Sequence, residues 1–295
     1  METSKKSISY LGLIFVIIVW GINPLITLFF YQYYSPTIRV AFNSLVGAVA
    51  LLIISWKKLK QLNKTYFLVG GITGLFLTLA HVLQSIGLQY TTPTHFSFLE
   101  NLSVLVVPFL SYMLIKKKPS FLTIFAAVLC LFSSFILTGL FADKNPASFT
   151  GDLLCAIAGI LYGVNIAGTG AYAKKFYAPL YLMIQMAAGF IFSMLGAIFL
   201  ELIGVEKILF TINWWVLPAN ILCTFIISTL CWLIRTNAMK HIDASVVAVM
   251  MPFSSVVTTI VSIFAGKDTL TPNLVLGVAL GLVAIILSGL GDRKK

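Results

Sequence analysis

Apolar residues run along this chain in blocks, parted by short polar stretches rather than alternating with them. A bilayer core is crossed by ~20 residues of helix. Read at that length, the blocks fall near 8–30, 36–56, 66–90, 93–115, 120–140, 150–173, 178–200, 212–239, 244–265 and 271–291. The pattern predicts an all-α integral membrane protein of ten transmembrane helices, several long enough to tilt. The interruptions carry turn chemistry. Tyr90-Thr91-Thr92-Pro93 closes the third and fourth blocks into a hairpin, and His241-Ile242-Asp243 does the same for the eighth and ninth. Asp143-Lys144-Asn145-Pro146-Ala147-Ser148 is polar and turn-rich, and separates the fifth block from the sixth. The first block is longer than a signal-peptide core and no small-residue cleavage site follows it, so it is expected to remain as a span.

The blocks repeat. Trp20-Gly21-Ile22-Asn23 in the first recurs as Tyr162-Gly163-Val164-Asn165 in the sixth, and Tyr34-Ser35-Pro36 recurs as Tyr177-Ala178-Pro179. The expected division is therefore a five-helix repeat over 1–141 and a second over 149–295. Five spans end on the opposite side from where they began, so the second copy is expected upside down relative to the first. Inverted repeats of this kind build secondary transporters, with the substrate site near the midplane between the halves. Overlaying the two hairpin turns pairs His81 with Trp232, Gln84 with Arg235, Glu100 with Met251 and Asn101 with Pro252.

Composition removes the soluble alternatives. Only 10% of residues are charged and the mean hydropathy is +1.00, whereas soluble domains carry about 25% charged residues. The net charge of +11 would fit a nucleic-acid surface, but its placement fits topology better. With the amino terminus in the cytoplasm, fifteen basic residues fall inside, from Lys5 and Lys6 to Lys294 and Lys295, against Lys144, Lys207 and Lys267 outside. That is the positive-inside pattern. No nucleic-acid partner is expected, and both termini are expected in the cytoplasm of a multi-pass protein of the cytoplasmic (inner) membrane. Lys116-Lys117-Lys118 ends the fourth span inside, and the matching Gly266-Lys267-Asp268 ends the ninth outside. Cys130, Cys155, Cys223 and Cys231 lie within spans without metal spacing and read as packing residues.

Chemistry is concentrated in few side chains. Glu100 is an acidic residue deep inside a span, a functional candidate because a carboxyl there is costly to keep. At ~1.5 Å per residue it lies roughly 13 Å from the hairpin turn, and His81 about 15 Å along the preceding helix, so the two side chains can meet if both face inward. Such a pair can exchange a proton, or Glu100 can bind a substrate ammonium group. The bland reading is a purely structural contact. Thr78, His81 and Ser85 share a face of span three with Gln84 beside them, and Ser228, Trp232 and Arg235 share the matching face of span eight. Arg235 either snorkels to the interface or binds a substrate carboxylate. For Arg39, within a turn of Pro36, snorkelling at the outer rim is expected, and His95 reads as a polar rim residue. Asn23 and Asn165 each need a partner for the amide, from a neighbouring helix or from substrate. Trp20 and Tyr162 either gate the cavity, stack on a flat substrate or simply pack. Pro24, Pro108 and Pro252 are expected to kink their helices. Gly159-x-x-x-Gly163 permits close helix approach.

These elements together resemble an EamA-type member of the drug/metabolite transporter superfamily. The resemblance is carried by Trp20-Gly21-Ile22-Asn23-Pro24, by Pro36 followed by Arg39, by the Gly87-Leu88-Gln89-Tyr90-Thr91-Thr92-Pro93 hairpin and by Met250-Met251-Pro252-Phe253. It covers nearly the whole chain. It departs at Asn101, where such proteins commonly carry proline, and after the fourth span, where lysines replace an acidic residue while Asp268 fills the equivalent place in the second half. The resemblance implies a secondary transporter, often an exporter, of metabolites such as amino acids and their derivatives. The partners expected are a small-molecule metabolite, the lipid bilayer and protons as coupling ion. Ten spans suffice to enclose a pathway in one monomer, and a dimer stays open. No Walker loop and no metal or nucleophile constellation is legible, so neither a cofactor nor ATP-driven pumping by this chain is expected. The competing readings are an integral-membrane enzyme acting on a lipid-linked substrate and a passive channel.

Overall fold

In hydrocarbon no water is available to backbone amides, so each apolar block must satisfy its own hydrogen bonds by coiling into a helix. A computed structural model of the chain describes residues 2–116, 118, 120–138, 146–266 and 271–293. The elements in order are α1 (Glu2–Phe30), α2 (Pro36–Ser55), α3 (Lys64–Gly87), α4 (Pro93–Leu99), α5 (Ser103–Ile115), α6 (Phe121–Thr138), α7 (Pro146–Tyr172), α8 (Ala178–Leu202), α9 (Val216–Thr224), α10 (Cys231–Ala238), α11 (Ala244–Met250), α12 (Phe253–Phe264) and α13 (Pro272–Arg293). Lys117, Asp143, Lys144, Asn145, Lys267, Asp268, Lys294 and Lys295, on which part of the charge and connector reading rests, lie outside the described residues.

Among the described residues eight stretches are helical, long and apolar enough to cross a membrane: Lys5–Phe30, Pro36–Gln61, Lys64–Gly87, Pro93–Ile115, Phe149–Tyr172, Ala178–Leu202, Val216–Ala238 and Ala244–Phe264. The protein is an all-α, multi-pass integral membrane protein. Helices α6 and α13 stand where the fifth and tenth spans are expected. Their apolar stretches, Phe121–Ser133 and Val275–Ala284, are shorter than the other eight.

Three of the spans are not single helices. A 3-10 turn over Glu100–Leu102 joins α4 to α5, Met251 and Pro252 form a turn between α11 and α12, and a π-helical segment over Phe225–Leu230 joins α9 to α10. The first two breaks fall at positions that the hairpin overlay pairs. Pro252 has no N–H to donate and so interrupts its helix. At Glu100 the break is met from outside. The Ser255 hydroxyl donates to the Ser97 carbonyl at 2.7 Å, and Asn101 Nδ2 donates to Ser255 Oγ at 3.2 Å. Span nine thus takes up polar groups at the interruption of span four. Gly159 makes room for this. A Cβ there would lie 2.5 Å from the Leu99 carbonyl oxygen and 2.9 Å from that of Glu100, so only glycine lets α7 pass directly over the break. Gly163, one turn on, seats Val106 in the same way and belongs to the packing of α5 on α7.

Helices α1–α6 pack chiefly against α7–α13: α2 on α8, α3 on α7 and α8, α5 on α7, α1 on α10 and α12, and α6 on α13. Large apolar side chains such as Leu11, Phe67, Phe121 and Leu195 are exposed on the outside, while Arg39, Gln84, Asn165, Gln185 and Arg235 are buried inside. Polarity is therefore reversed relative to a water-soluble bundle, as a lipid-facing surface requires. Three of the four cysteines are buried and Cys223 is half-buried, which suits packing residues.

The two ends of the bundle are closed differently. At the end bearing Lys58 and Lys240, the Lys58 ammonium sits 4.0 Å from the Tyr177 ring centroid, and the Tyr177 amide donates to the Tyr66 hydroxyl. Lys240 is held below the usual lysine range, by partial burial first and by neighbouring Lys58 second. At the other end the segment after α8 folds over the start of α2. Ser35 N donates to the Leu209 carbonyl, Phe210 packs on Tyr34, and the Glu206 carboxylate accepts from Thr37 N at 2.9 Å and Thr37 Oγ1 at 2.7 Å. Nearby, the Asp152 carboxylate accepts from the Thr91 hydroxyl and lies 3.1 Å from His95 Nδ1. His95 is thus a latch residue at the hairpin end rather than a loose rim contact.

Candidate functional site

Between the two sets of helices lies a cavity of about 110 Å³, lined from α1, α2, α3, the span-four break, α7, the π segment, α10 and the span-nine break. Space of this size holds several water molecules. Trp20, Asn23, His81, Gln84, Glu100, Tyr162, Trp232 and Arg235 all reach it. Asn165 does not: it is fully buried behind Arg235.

The acidic wall differs from expectation. Glu100 does not pair with His81. Its Oε2 accepts from Gln84 Nε2 at 2.8 Å, and Gln84 Oε1 in turn accepts from the Tyr162 hydroxyl at 2.7 Å. Residues 88–92 are not α-helical, and the 3-10 turn at Glu100 re-aims the carboxyl relative to a regular helix. Gln84, one turn nearer the hairpin than His81, is the residue that meets it. The chain Tyr162–Gln84–Glu100 ties α7, α3 and the span-four break into one hydrogen-bonded row. His81 instead presents its ring edge-on to Tyr162, centroids 5.3 Å apart, and to Trp232 at 5.7 Å.

The aromatic wall is built on the π segment. A π turn leaves backbone groups off the regular ladder and is common at functional sites. Here the Trp20 indole N–H donates to the Ile227 carbonyl at 3.0 Å, across from α1. Trp20 and Trp232 pack with ring centroids 5.1 Å apart. Gly21 carries α1 close to span nine, with its carbonyl accepting from Thr258 Oγ1 at 2.7 Å.

Two guanidiniums face the same space. Arg235 does not snorkel. It is 2% exposed, lies 3.9 Å over the Trp232 ring and 5.6 Å from Trp20, and donates from Nη2 to Asn165 Oδ1 at 3.1 Å. Asn165 passes the tie on through Nδ2 to the Thr73 carbonyl at 3.0 Å. Its amide is therefore spent on neighbouring helices. Arg39 also departs from the expected rim position. It is 6% exposed, lines the cavity and donates from Nη1 to Thr27 Oγ1 at 2.9 Å. Thr27 Oγ1 donates to Asn23 Oδ1 at 3.2 Å. Thr27 and the Phe30 ring, 5.3 Å from the guanidinium, hold Arg39 on the inner side of α2. The repeat-related asparagines thus each stand behind an arginine, Asn165 directly and Asn23 through Thr27.

Reading the sequence did not bring Arg39, Thr27, Asn43, Ser97 or Asn101 into the site, yet all line the cavity. A usable signal for Arg39 was present. Aligning Pro36 with Pro179 sets Arg39 opposite Leu182, a charge facing an apolar counterpart as Glu100 faces Met251. Thr78, on the expected face of span three, bonds its own helix at the Gly74 carbonyl instead.

Known proteins place this architecture. The sequence model of the EamA-like transporter family matches residues 7–139 and 149–290. An uncharacterized transporter from Archaeoglobus fulgidus is 24% identical over 289 residues, covering 98% of this chain and 88% of that protein. A protein crystal structure superposes with a TM-score of 0.72 over 98% of both chains at 17% identity, a likeness of fold alone. The family is one of carriers and not of enzymes, and its match takes in nearly every helix described above; the chain belongs to the EamA-like transporters of the drug/metabolite transporter superfamily.

Proposed function

We propose that this membrane transporter moves a small organic metabolite, an amino acid or amine derivative, across the cytoplasmic membrane by alternating access, most naturally as an exporter. The proposal takes the chain as ten spans in two inverted five-helix repeats, 1–141 and 149–295, with both termini in the cytoplasm. The paired motifs, the lysine distribution and the family matches over 7–139 and 149–290 support that arrangement. The observation that carries the reading is one cavity, enclosed between helices of both halves, with a carboxyl on one wall and a guanidinium on the other. Glu100 would receive a proton or the substrate ammonium group. Arg235 would take a carboxylate, while Trp20, His81, Tyr162 and Trp232 close round the rest of the molecule, and Asn23, Gln84 and Asn165 fix the groups that make contact.

Proton coupling follows from the same carboxyl. Protein reconstituted in proteoliposomes is expected to accumulate an amino-acid or amine substrate only under an imposed pH gradient. Glu100→Gln keeps an oxygen for the Gln84 N–H but cannot ionise, so it is expected to remove that dependence while the protein still folds. Accumulation that ignores the gradient, together with an unaffected Glu100→Gln variant, would sink the coupling. Countertransport that does not saturate would favour a channel.

A further inference from the structure

The two cavity arginines are buried charged groups. Among the described residues neither Arg39 nor Arg235 is in an ion pair, and each has an Nε–H with no hydrogen-bond partner. Their bonds go to neutral oxygens, Thr27 Oγ1 and Asn165 Oδ1. Guanidinium does not shed its proton in a protein, and a buried ion without a counter-ion costs several kcal/mol. Such cost is tolerated where a ligand supplies the missing charge. The carboxylate lining the cavity, Glu100, is held on the Gln84 side. With Glu100 ionised, two guanidiniums and one carboxylate leave a single positive charge on the cavity lining.

The geometry also spaces the two cations. Arg39 touches Thr27, and Arg235 lies beside Trp20. Those contacts are seven residues apart on α1, about 10 Å of helical rise. A molecule that meets both guanidiniums with charge-matched groups carries one acidic group for each.

We infer that the cargo is an acidic amino acid, a small molecule with two carboxylates and one ammonium group. One carboxylate meets Arg39, the other meets Arg235, and the ammonium group meets Glu100. The charges then close: a net negative cargo neutralises a net positive cavity. Fork-shaped, charge-assisted contacts of this kind are the strong class of hydrogen bond. The inference rests on the transporter reading above and narrows it to one substrate class.

Trp20 and Trp232 flank Arg235, so their fluorescence reports binding in the purified, detergent-solubilised protein, with calorimetry as a second readout. Glutamate and aspartate are expected to bind; glutamine, which keeps the shape but loses one carboxylate, is expected to bind weaker by about tenfold or more, the worth of one charge-assisted pair. Glutarate, which lacks the ammonium group, is expected to weaken similarly. Arg39→Gln is expected to abolish the preference for glutamate over glutamine, and Arg39→Lys to retain part of it, so that the preference is readable within each folded variant. Equal binding of glutamate and glutamine by the wild-type protein, equal binding of glutamate and glutarate, or an unchanged preference in Arg39→Gln would overturn the inference. If these acids fail while a neutral or cationic metabolite is still carried in a Glu100-dependent way, the transporter reading stands and the acidic-amino-acid reading falls.

Discussion

Arg39 and Arg235 do the same kind of thing in one cavity and are held in different ways. Arg235 is fixed from three sides: flat against Trp232, near Trp20, and bonded to Asn165, which is itself bonded to the Thr73 carbonyl of α3. Arg39 has one neutral hydrogen bond, to Thr27, and a longer contact with the Phe30 ring at 5.3 Å. The same repeated asparagine is used directly in one case and through a hydroxyl in the other. A guanidinium locked by stacking belongs to the scaffold as well as to the site, whereas one held by a single bond is free to follow a ligand. The asparagines of the recurring motif, Asn23 and Asn165, thus stand behind arginines held with unequal stiffness.

That difference is open to attack. The largest effect is expected from Arg235→Ala, which strips the Trp232 face and leaves Asn165 Oδ1 without its donor. A buried acceptor left alone costs about 1–3 kcal/mol, so thermal unfolding in detergent should fall by several degrees and transport should be lost. Arg39→Ala should abolish transport nearly as fully but shift the melting curve much less; equal losses of stability from the two variants would erase the distinction. Next comes Tyr162→Phe, which removes the donor to Gln84 and loosens the row ending at Glu100. The expected loss is about 1 kcal/mol, read as a severalfold lower transport rate with an unaltered substrate preference. The smallest change is expected from Thr27→Val. Arg39 loses its hydroxyl acceptor but keeps its place beside Phe30, and transport should fall by a factor of a few while stability barely moves. A Thr27→Val variant as inactive as Arg39→Ala would mean that Arg39 is as rigidly held as Arg235.

Much of the frame was legible because lipid makes a blunt demand. A block that must satisfy its own backbone has to be a helix, and the hairpins at Tyr90–Pro93 and His241–Asp243 punctuate the sequence accordingly. Overlaying those hairpins also set Glu100 opposite Met251, where spans four and nine are both broken. The failures were of a different sort. Pairing Glu100 with His81 assumed regular helix on both sides of a turn, and a 3-10 step was enough to hand the carboxyl to Gln84. Assigning Arg39 to the rim used distance along one helix. What holds Arg39 inside is the end of another helix, Thr27 and Phe30 of α1, and no local pattern around Pro36 announces it. The π segment has no visible signature in Phe225–Leu230, all six of them ordinary membrane residues.

That π segment stores one surplus residue in the helix wall of the cavity. An α-helix turns about 100° per residue, so if Phe225–Leu230 rewound to regular α-helix, Cys231–Ala238 would rotate by about that angle against Val216–Thr224. Trp232 and Arg235 would leave the cavity together, without any loop opening or either half tilting. The indole of Trp20, hooked on the Ile227 carbonyl, ties α1 to the segment that such a rewinding would turn. An aromatic side chain on the first helix would in this sense be the pawl of a ratchet whose tooth is a single extra amino acid between α9 and α10.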